Sequence, residues 1–215
     1  MTTIYLVRHC ETKGNQQRFF QGRIDMDISE NGAHQLDLLA ERFRDMPLDE
    51  LYTSPLLRAV RTAEAVNRYH GLPLHWDERL IEINGGCWEG KPWTDLPAFD
   101  PEQCRRWLHE PWNFQTQGGE PMRAVYDRMK RALLDIAAVC DGQKVAVVSH
   151  GCAIRNALCF AKGLPVEKLD TVEWCDNTAL CILEIERDTV RVLAENDHTH
   201  LTSEASPAEK DSWWR

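Results

Sequence analysis

The chain has 215 residues, of which 43% are apolar and 27% charged, and its formal net charge is −9. This length suits one domain with a substantial core, and the composition is ordinary for a globular protein. The acidic balance disfavours general nucleic-acid binding, which needs a basic face, and no apolar run approaches the ~20 residues that a membrane span requires.

The first residues, "MTTIYLVRH", lack the basic start and long apolar core of a signal peptide, which predicts a cytoplasmic protein. The eight cysteines are scattered and form no Cys-x-x-Cys pair, so we expect free thiols rather than disulfides or a structural zinc site. His198 and His200 could suggest a metal, but the pair lacks a third ligand nearby, and we expect no metal site.

Strand-like and helix-like stretches alternate along the chain. Strands are predicted over residues 3–8, 48–53, 74–76, 144–149, 179–186 and 189–194. Helices are predicted over residues 29–43, 54–71 and 121–140, and from residue 151 to just before "KGLP". Ser29 and Ser54 suit the capping position, Pro55 suits a first turn, and Gly71 suits the end of the second helix.

This alternation predicts an α/β fold with three layers, in which a mostly parallel central sheet has helices on both faces. A tight turn at Arg187 and Asp188 joins the last two strands, so we expect an antiparallel edge. We predict a single domain over residues 1–215. Residues 91–119, with four prolines and three tryptophans, are expected to form a lid or cap insertion, and residues 202–215 a polar tail.

Basic side chains occur where three of the predicted strands end. Arg8 and His9 end the first strand, Arg58 follows the second, and His150 with Gly151 follows the fourth. In parallel sheets, ligands bind beyond the carboxyl ends of the strands, where helix N-termini add amide donors. The three junctions together therefore indicate a site for a phosphate or carboxylate.

The same residues carry a family resemblance. The stretch "LVRHCETKGN" resembles the Arg-His-Gly-Glu-Thr-x-x-Asn signature of the histidine phosphatase superfamily, which includes the cofactor-dependent phosphoglycerate mutases. The resemblance continues, in the family's order, through "QGRIDMDISENG", "LYTSPLLRAVRTAEAV", "RLIEINGGCWEG" and "VAVVSHGCAIR". It implies a phosphoglycerate mutase-like fold and an enzyme that transfers phosphoryl groups.

The resemblance also implies roles for individual residues. His9 matches the family's phosphorylated histidine, and neighbouring arginines are expected to depress its pKa and keep a lone pair available. Arg8, Arg58 and His150 match the groups that hold the phosphoryl oxygens. Glu82 matches the family's general acid, and Glu89 is the nearby competitor for that role.

Substrate-binding positions follow by the same comparison. They are Asn15, Gln21, Gly22, Arg23 and Gly151, and neither a cofactor nor a metal is implied. Two departures from the family pattern stand out, because Cys10 replaces the usual glycine and Pro121 stands where relatives often carry serine. A thiolate at Cys10 could be oxidation-sensitive, but we favour simple packing.

The expected activity is metal-independent hydrolysis of a small phosphate monoester through a phosphohistidine. The chain is short for a mutase, and "EINGGCWEG" is more like the phosphatase branch, but a bisphosphoglycerate-dependent mutase is the alternative. A non-catalytic phospholigand-binding protein is less favoured because every expected catalytic residue is present. Trp213 and Trp214 suggest docking on the body or on a second copy, hence a possible homodimer.

The aromatic side chains leave two alternatives open. Tryptophans in and beside the insertion could stack a flat substrate group, or they could simply pack a small cap. The sequence does not choose among sugar phosphates, phosphoglycerates, phosphoserine, nucleotides and α-ribazole phosphate, which all occur as substrates among relatives.

Overall fold

The computed structural model describes residues 1–201 and residue 205. Its strands are β1 (Thr2–Arg8), β2 (Glu50–Thr53), β3 (Leu74–Trp76), β4 (Lys144–Ser149), β5 (Leu180–Glu186) and β6 (Thr189–Asp197). Its α-helices are α1 (Lys13–Gln16), α2 (Glu30–Phe43), α3 (Leu57–Val66), α4 (Leu96–Phe99), α5 (Pro101–His109), α6 (Met122–Val139) and α7 (Gly151–Ala161). Short 3-10 helices cover Glu78–Leu80, Gly86–Trp88, Pro111–Asn113 and Val166–Thr171.

The strands form one six-stranded sheet in the order β3-β2-β4-β1-β5-β6. Pairing is parallel from β3 to β1 and antiparallel at β5 and β6, which meet in a hairpin with Arg187 in the left-handed region (φ 55°). The predicted α/β class, with its mostly parallel sheet and antiparallel edge, is confirmed.

Strand β1 shows why helices cover both faces of the sheet. Successive side chains of a strand point to opposite faces. Ile4 and Leu6 accordingly belong to the larger core cluster, which α6 and α7 complete. Tyr5 and Val7 belong to a second cluster, which α2 and α3 complete. Because both faces are buried, the strand is a nearly continuous apolar run that ends only at Arg8.

One predicted helix differs from the structure at both ends. Ser29 caps α2 as expected, since its Oγ accepts from the amide of Gly32 at 2.9 Å. Ser54, however, does not cap α3, because the helix begins at Leu57 after an extended Leu56. The Ser54 hydroxyl instead contacts the ring of His150, and this tertiary contact replaces the local cap. Helix α3 also ends at Val66, before Gly71.

Aromatic side chains of residues 91–119 pack into the larger core cluster. Trp107 and Phe114 are buried there, with ring centroids 4.8 Å apart, and Trp88 lies 5.0 Å from Phe114. Phe20, which follows the signature, joins the same group 5.5 Å from Trp107. Of the two alternatives for these aromatics, the contacts favour packing of a cap. A lid movement of the segment stays a prediction.

No helix within the described ranges is both long and apolar enough to cross a bilayer. Most of the predicted polar tail, including Trp213 and Trp214, lies outside the described residues. Ala205 is described and buried, and its carbonyl accepts from the Gln35 side chain at 3.2 Å.

Candidate active site

The site lies where the parallel strands end. Arg8 is level with Ser149 in the register of β1 and β4, and Thr53 is level with Val148 across β2 and β4. The amide of His9 continues the ladder by donating to the Ser149 carbonyl at 3.0 Å. The three junctions that the sequence singled out therefore lie side by side at one edge of the sheet.

His9 is held with one ring nitrogen occupied. Its Nδ1 lies 2.6 Å from the backbone oxygen of Cys10 and donates to it, which leaves the lone pair on Nε2. The ring is 3% exposed. Burial, followed by the positive charges of Arg58 and Arg8, holds the pKa of His9 well below its usual value. A neutral imidazole with a free Nε2 is the form that can attack phosphorus.

Two buried arginines flank His9. Arg58 donates to the carbonyls of Gly22 at 2.6 Å and Ile24 at 2.8 Å, and Arg8 donates to the carbonyl of Cys175. Burial lowers the pKa of both guanidinium groups. They stay charged because the reference pKa of arginine is very high. These bonds to carbonyls fix the two side chains, and Arg58 Nη1 also forms an ion pair with Asp25 at 3.5 Å.

Three buried nitrogens in this cluster have no hydrogen-bond partner among the described residues. They are the Nε atoms of Arg8 and Arg58 and the Nδ1 atom of His150. The His150 ring lies 5.2 Å from the His9 ring, between centroids, and α7 begins at the next residue. Because buried donors are normally paired, these nitrogens and the helix N-terminus indicate a cradle for an anion.

Glu82 lies at the N-terminus of α7. Its carboxylate accepts from the amides of Cys152 and Ala153, both at 3.1 Å, and from the amide of Ile83 at 2.9 Å. Glu89 serves another purpose, since its Oε1 accepts from the amides of Gly85 and Arg23 and joins two loops. Of the two predicted carboxylates, Glu82 is therefore the one placed at the helix that follows His150.

Predicted substrate-binding residues of the signature loop are engaged within that loop. Asn15 Oδ1 accepts from the amide of Thr12 at 3.1 Å and from its hydroxyl at 2.9 Å, which closes the N-terminus of α1. Gln21 Oε1 accepts from the same hydroxyl at 2.8 Å. In this structure both amide oxygens stabilise the loop after His9, and contact with a substrate stays a prediction.

Gly22, Arg23 and Gly151 contribute in different ways. Gly22 has a φ of +51°, and a Cβ there would meet Glu89 Oε1 at 2.4 Å, so the position requires glycine and its carbonyl holds Arg58. Arg23 is exposed and forms an ion pair with Glu120 at 3.4 Å. A Cβ on Gly151 would lie 3.4 Å from the Arg8 guanidinium carbon, so glycine leaves room beside that cation.

A loop that the sequence did not indicate as part of the site holds Arg8 and the backbone of His9 in place. Residues 175–178 precede β5, and the carbonyl of Cys175 holds Arg8. The Asn177 side chain donates to the carbonyl of His9 at 2.8 Å, and the amide of Thr178 donates to the carbonyl of Arg8 at 3.1 Å. In the sequence, "DNT" places polar residues directly before an apolar strand, a pattern so common at turns that it does not indicate this role.

The side chains of Cys10, His198 and His200 are not part of the site around His9. Cys10 is buried, and burial raises the pKa of its thiol to about 11, which favours the packing interpretation over a thiolate. His198 Nδ1 lies 3.2 Å from a carboxylate oxygen of Asp176, and His200 lies 3.2 Å from the Thr178 hydroxyl. No group of three side chains suited to a metal occurs among the residues that the structure describes.

Comparison with known proteins agrees with this geometry. The family model described as the histidine phosphatase superfamily (branch 1) matches residues 4–198. The chain belongs to the histidine phosphatase superfamily. Phosphoserine phosphatase 1 of Hydrogenobacter thermophilus is 34% identical to this chain over 201 residues, which are 94% of this chain and 95% of that protein.

Two further matches bear on fold and activity. The solved structure of Bacillus stearothermophilus YhfR superposes with a TM-score of 0.88 at 33% identity, covering 93% of this chain and 99% of that one. A probable phosphoglycerate mutase, GpmB of Serratia proteamaculans, is 32% identical over 165 residues, or 77% of each chain. The histidine phosphatase fold therefore extends over nearly the whole chain.

Proposed function

We propose that this chain hydrolyses a small phosphate monoester through a phosphohistidine formed on His9, without a metal. One observation carries the proposal: a histidine with its Nδ1 committed to the Cys10 carbonyl lies beside three buried nitrogens, of Arg8, Arg58 and His150, that have no hydrogen-bond partner within residues 1–201 or at residue 205. Membership of the superfamily and the phosphoserine phosphatase relative make the chain a phosphomonoester hydrolase.

In the first half-reaction, the Nε2 lone pair of His9 attacks phosphorus in line with the ester oxygen. The N–P bond forms as the P–O bond breaks, and the leaving oxygen takes a proton from Glu82. Charge on the non-bridging oxygens is stabilised by the two guanidinium groups, by His150 and by the N-terminus of α7. Removing one such preorganised donor typically costs about 10²–10³ in rate.

In the second half-reaction, water attacks the phosphohistidine and the Glu82 carboxylate takes a proton from it. Three backbone amides hold the Glu82 carboxyl group in place for both half-reactions. Inorganic phosphate leaves, the alcohol has already left, and both His9 and Glu82 return to their starting protonation states. Water is the only co-reactant.

The most informative first substrate is phosphoserine, because the relative with 34% identity is named a phosphoserine phosphatase. The alternative activity is a mutase reaction, in which a second substrate hydroxyl replaces water as the acceptor. Its support is the GpmB relative, which matches a smaller share of the chain. The presence of His9, Glu82 and the cationic cradle in one site argues against a binder without activity.

The direct test is release of inorganic phosphate from a panel of monoesters in the presence of EDTA, with His9→Ala measured in parallel. The panel contains phosphoserine, 3-phosphoglycerate, a sugar phosphate, a nucleotide and p-nitrophenyl phosphate. We expect EDTA-resistant turnover that is lost in the variant. Turnover that requires a divalent metal, or that survives in His9→Ala, would overturn the proposal.

Other features belong to the proposal but rest on sequence alone. They are a cytoplasmic location, a homodimer, and an insertion over residues 91–119 that moves as a lid. Light scattering of the full chain tests the oligomeric state. If light scattering shows a monomer, the proposed chemistry still stands, because every catalytic group named above comes from one chain.

A further inference from the structure

Ser54 and His150 are both fully buried and are joined by a short hydrogen bond. Ser54 Oγ lies 2.6 Å from His150 Nε2. Ser54 follows β2 directly, and its amide donates to the Val148 carbonyl at 3.0 Å. The serine is therefore fixed to β4 two residues before the histidine, which makes the contact rigid.

The neighbouring partners decide which atom donates. The amide of Leu56 donates to Ser54 Oγ at 3.3 Å, so one lone pair of that oxygen is already engaged. Within the described ranges, the hydroxyl proton of Ser54 has no acceptor other than His150 Nε2. If the hydroxyl donates to Nε2, the ring carries its proton on Nδ1.

The opposite tautomer fits the site poorly. With the proton on Nε2, the hydroxyl proton of Ser54 would lose its acceptor, and Nδ1 would present a lone pair. Nδ1 is the buried atom that has no partner in the described part of the chain, alongside the Nε atoms of Arg8 and Arg58. A lone pair there would repel phosphoryl oxygens, whereas an N–H would bind them.

The surroundings of His150 favour its neutral form, which makes its tautomer matter. Burial, then the charge of Arg58 and the neighbouring His9, hold the pKa of His150 well below its usual value. A doubly protonated ring would donate from both nitrogens whatever its neighbour did. A neutral ring donates from only one, and its second hydrogen bond selects which.

We propose that Ser54 is a positioning residue that holds His150 as the Nδ1–H tautomer, so that His150 donates to the transferring phosphoryl group. The inference rests on the proposed function for its catalytic consequence but not for the tautomer itself. Ser54 touches no reacting atom and acts through the ring of His150. This positioning role also explains why the Ser54 hydroxyl contacts His150 instead of capping α3.

The test combines nitrogen NMR of the resting protein with kinetics. In the ¹⁵N-labelled wild type, long-range proton–nitrogen correlations of His150 should show a protonated Nδ1 and an unprotonated Nε2. The His150 signals are assigned by their loss in His150→Asn. Ser54→Ala should mix the two tautomers, and Ser54→Thr, which keeps the hydroxyl, should restore the wild-type pattern.

In kinetics, Ser54→Ala should lower kcat about 10- to 100-fold, less than the loss of a whole donor. A double-mutant cycle shows whether this loss runs through His150, because Ser54→Ala should then cost little in a His150→Ala background. Thr2→Val is the matched control. It removes a buried hydroxyl that bonds the Ala137 carbonyl at the opposite end of β1, and it should leave kcat unchanged.

Three results would overturn the proposal: a protonated Nε2 in the wild type, an unchanged tautomer in Ser54→Ala, or the same kinetic loss with and without His150. The NMR result is independent of turnover. If the wild type has no phosphatase activity but the Nδ1–H tautomer is observed, the proposed function fails while the positioning by Ser54 stands. Should Ser54→Ala not fold, the wild-type spectrum and Ser54→Thr still decide the tautomer.

Discussion

The Nδ1 atom of His9 lies 2.6 Å from the backbone oxygen of Cys10, the residue that follows it. A backbone carbonyl can only accept, so Nδ1 carries the proton and Nε2 the lone pair. The orientation of the nucleophile is thus set by main chain and does not depend on the side chain of Cys10. This relationship explains how a cysteine can occupy a position beside the nucleophile without disturbing it.

The buried Cys10 thiol should be chemically quiet. Burial raises the pKa of Cys10 to about 11, and the thiolate is the reactive form. We expect iodoacetamide to modify the partly exposed Cys87 well before Cys10 in the native protein, as measured by peptide mapping. Cys10→Ala should keep activity within a few-fold. Alkylation of Cys10 as fast as Cys87, with loss of activity, would show a reactive thiol instead.

Glu82 and Glu89 should respond differently to the same substitution. Glu82→Gln removes the proton donor, so kcat/KM, which reports phosphoryl transfer to His9, should fall strongly for phosphoserine, whose alkoxide leaves poorly, and much less for p-nitrophenyl phosphate. Glu89→Gln is the matched control, because a Gln Oε1 can still accept from the amides of Gly85 and Arg23. Equal losses on both substrates in Glu82→Gln would contradict the role of general acid.

Asn177 should affect both stability and activity, although its side chain bonds to the His9 backbone and not to the ring. Its side chain donates to the His9 carbonyl at 2.8 Å, and both residues are buried. Asn177→Ala should lower the free energy of unfolding by about 1–3 kcal/mol, the usual cost of leaving a buried acceptor poorly satisfied. It should also lower kcat, because the backbone that orients His9 loosens. Urea denaturation and phosphate release measure the two effects, and an unchanged kcat would show that the loop is only structural.

The stability of the protein should decrease as the pH falls below about 6.5, the ordinary histidine value. The folded state lowers the pKa of His9 and His150, and it lowers that of His200 to about 4. The unfolded chain then binds more protons throughout this window, so protonation favours unfolding. Each such histidine contributes about 1.4 kcal/mol per pH unit between its folded pKa and ~6.5.

Urea denaturation at several pH values between 7 and 5 tests this expectation, because carboxylates titrate mainly below that range. Replacing His200 with Gln should remove one histidine's share of the slope. A free energy of unfolding that stays constant from pH 7 to 5 would mean that the buried histidines accept protons without cost.

The sequence predicted the sheet well because its strands carry strong local signals. β1 and β4 are short apolar runs that end in charged or polar residues, and their ends bring together Arg8, His9 and His150. The prediction that Ser54 caps α3 was wrong, and no local sequence pattern shows the reason. Ser54 has a good capping sequence, but its hydroxyl is used by a histidine 96 residues away.

The supporting loop was missed for a similar reason. Cys175 and Asn177 act through a carbonyl and an amide that reach Arg8 and His9 only once β5 pairs with β1. Spacing along the chain shows charge and polarity at a strand end, but it does not show which backbone atoms meet there. Asn15 and Gln21 show the converse, since their side chains bond within the loop that follows His9.

The most direct test of the account is to locate the phosphoryl group during a single turnover. Enzyme in excess over phosphoserine, or over the best monoester of the panel, is quenched in alkali across the full time course, and peptides are mapped by mass spectrometry. The account predicts a transient phosphoryl group on His9 that forms before inorganic phosphate appears. A phosphoryl group on any other side chain, or a complete turnover in which His9 is never phosphorylated, would contradict it.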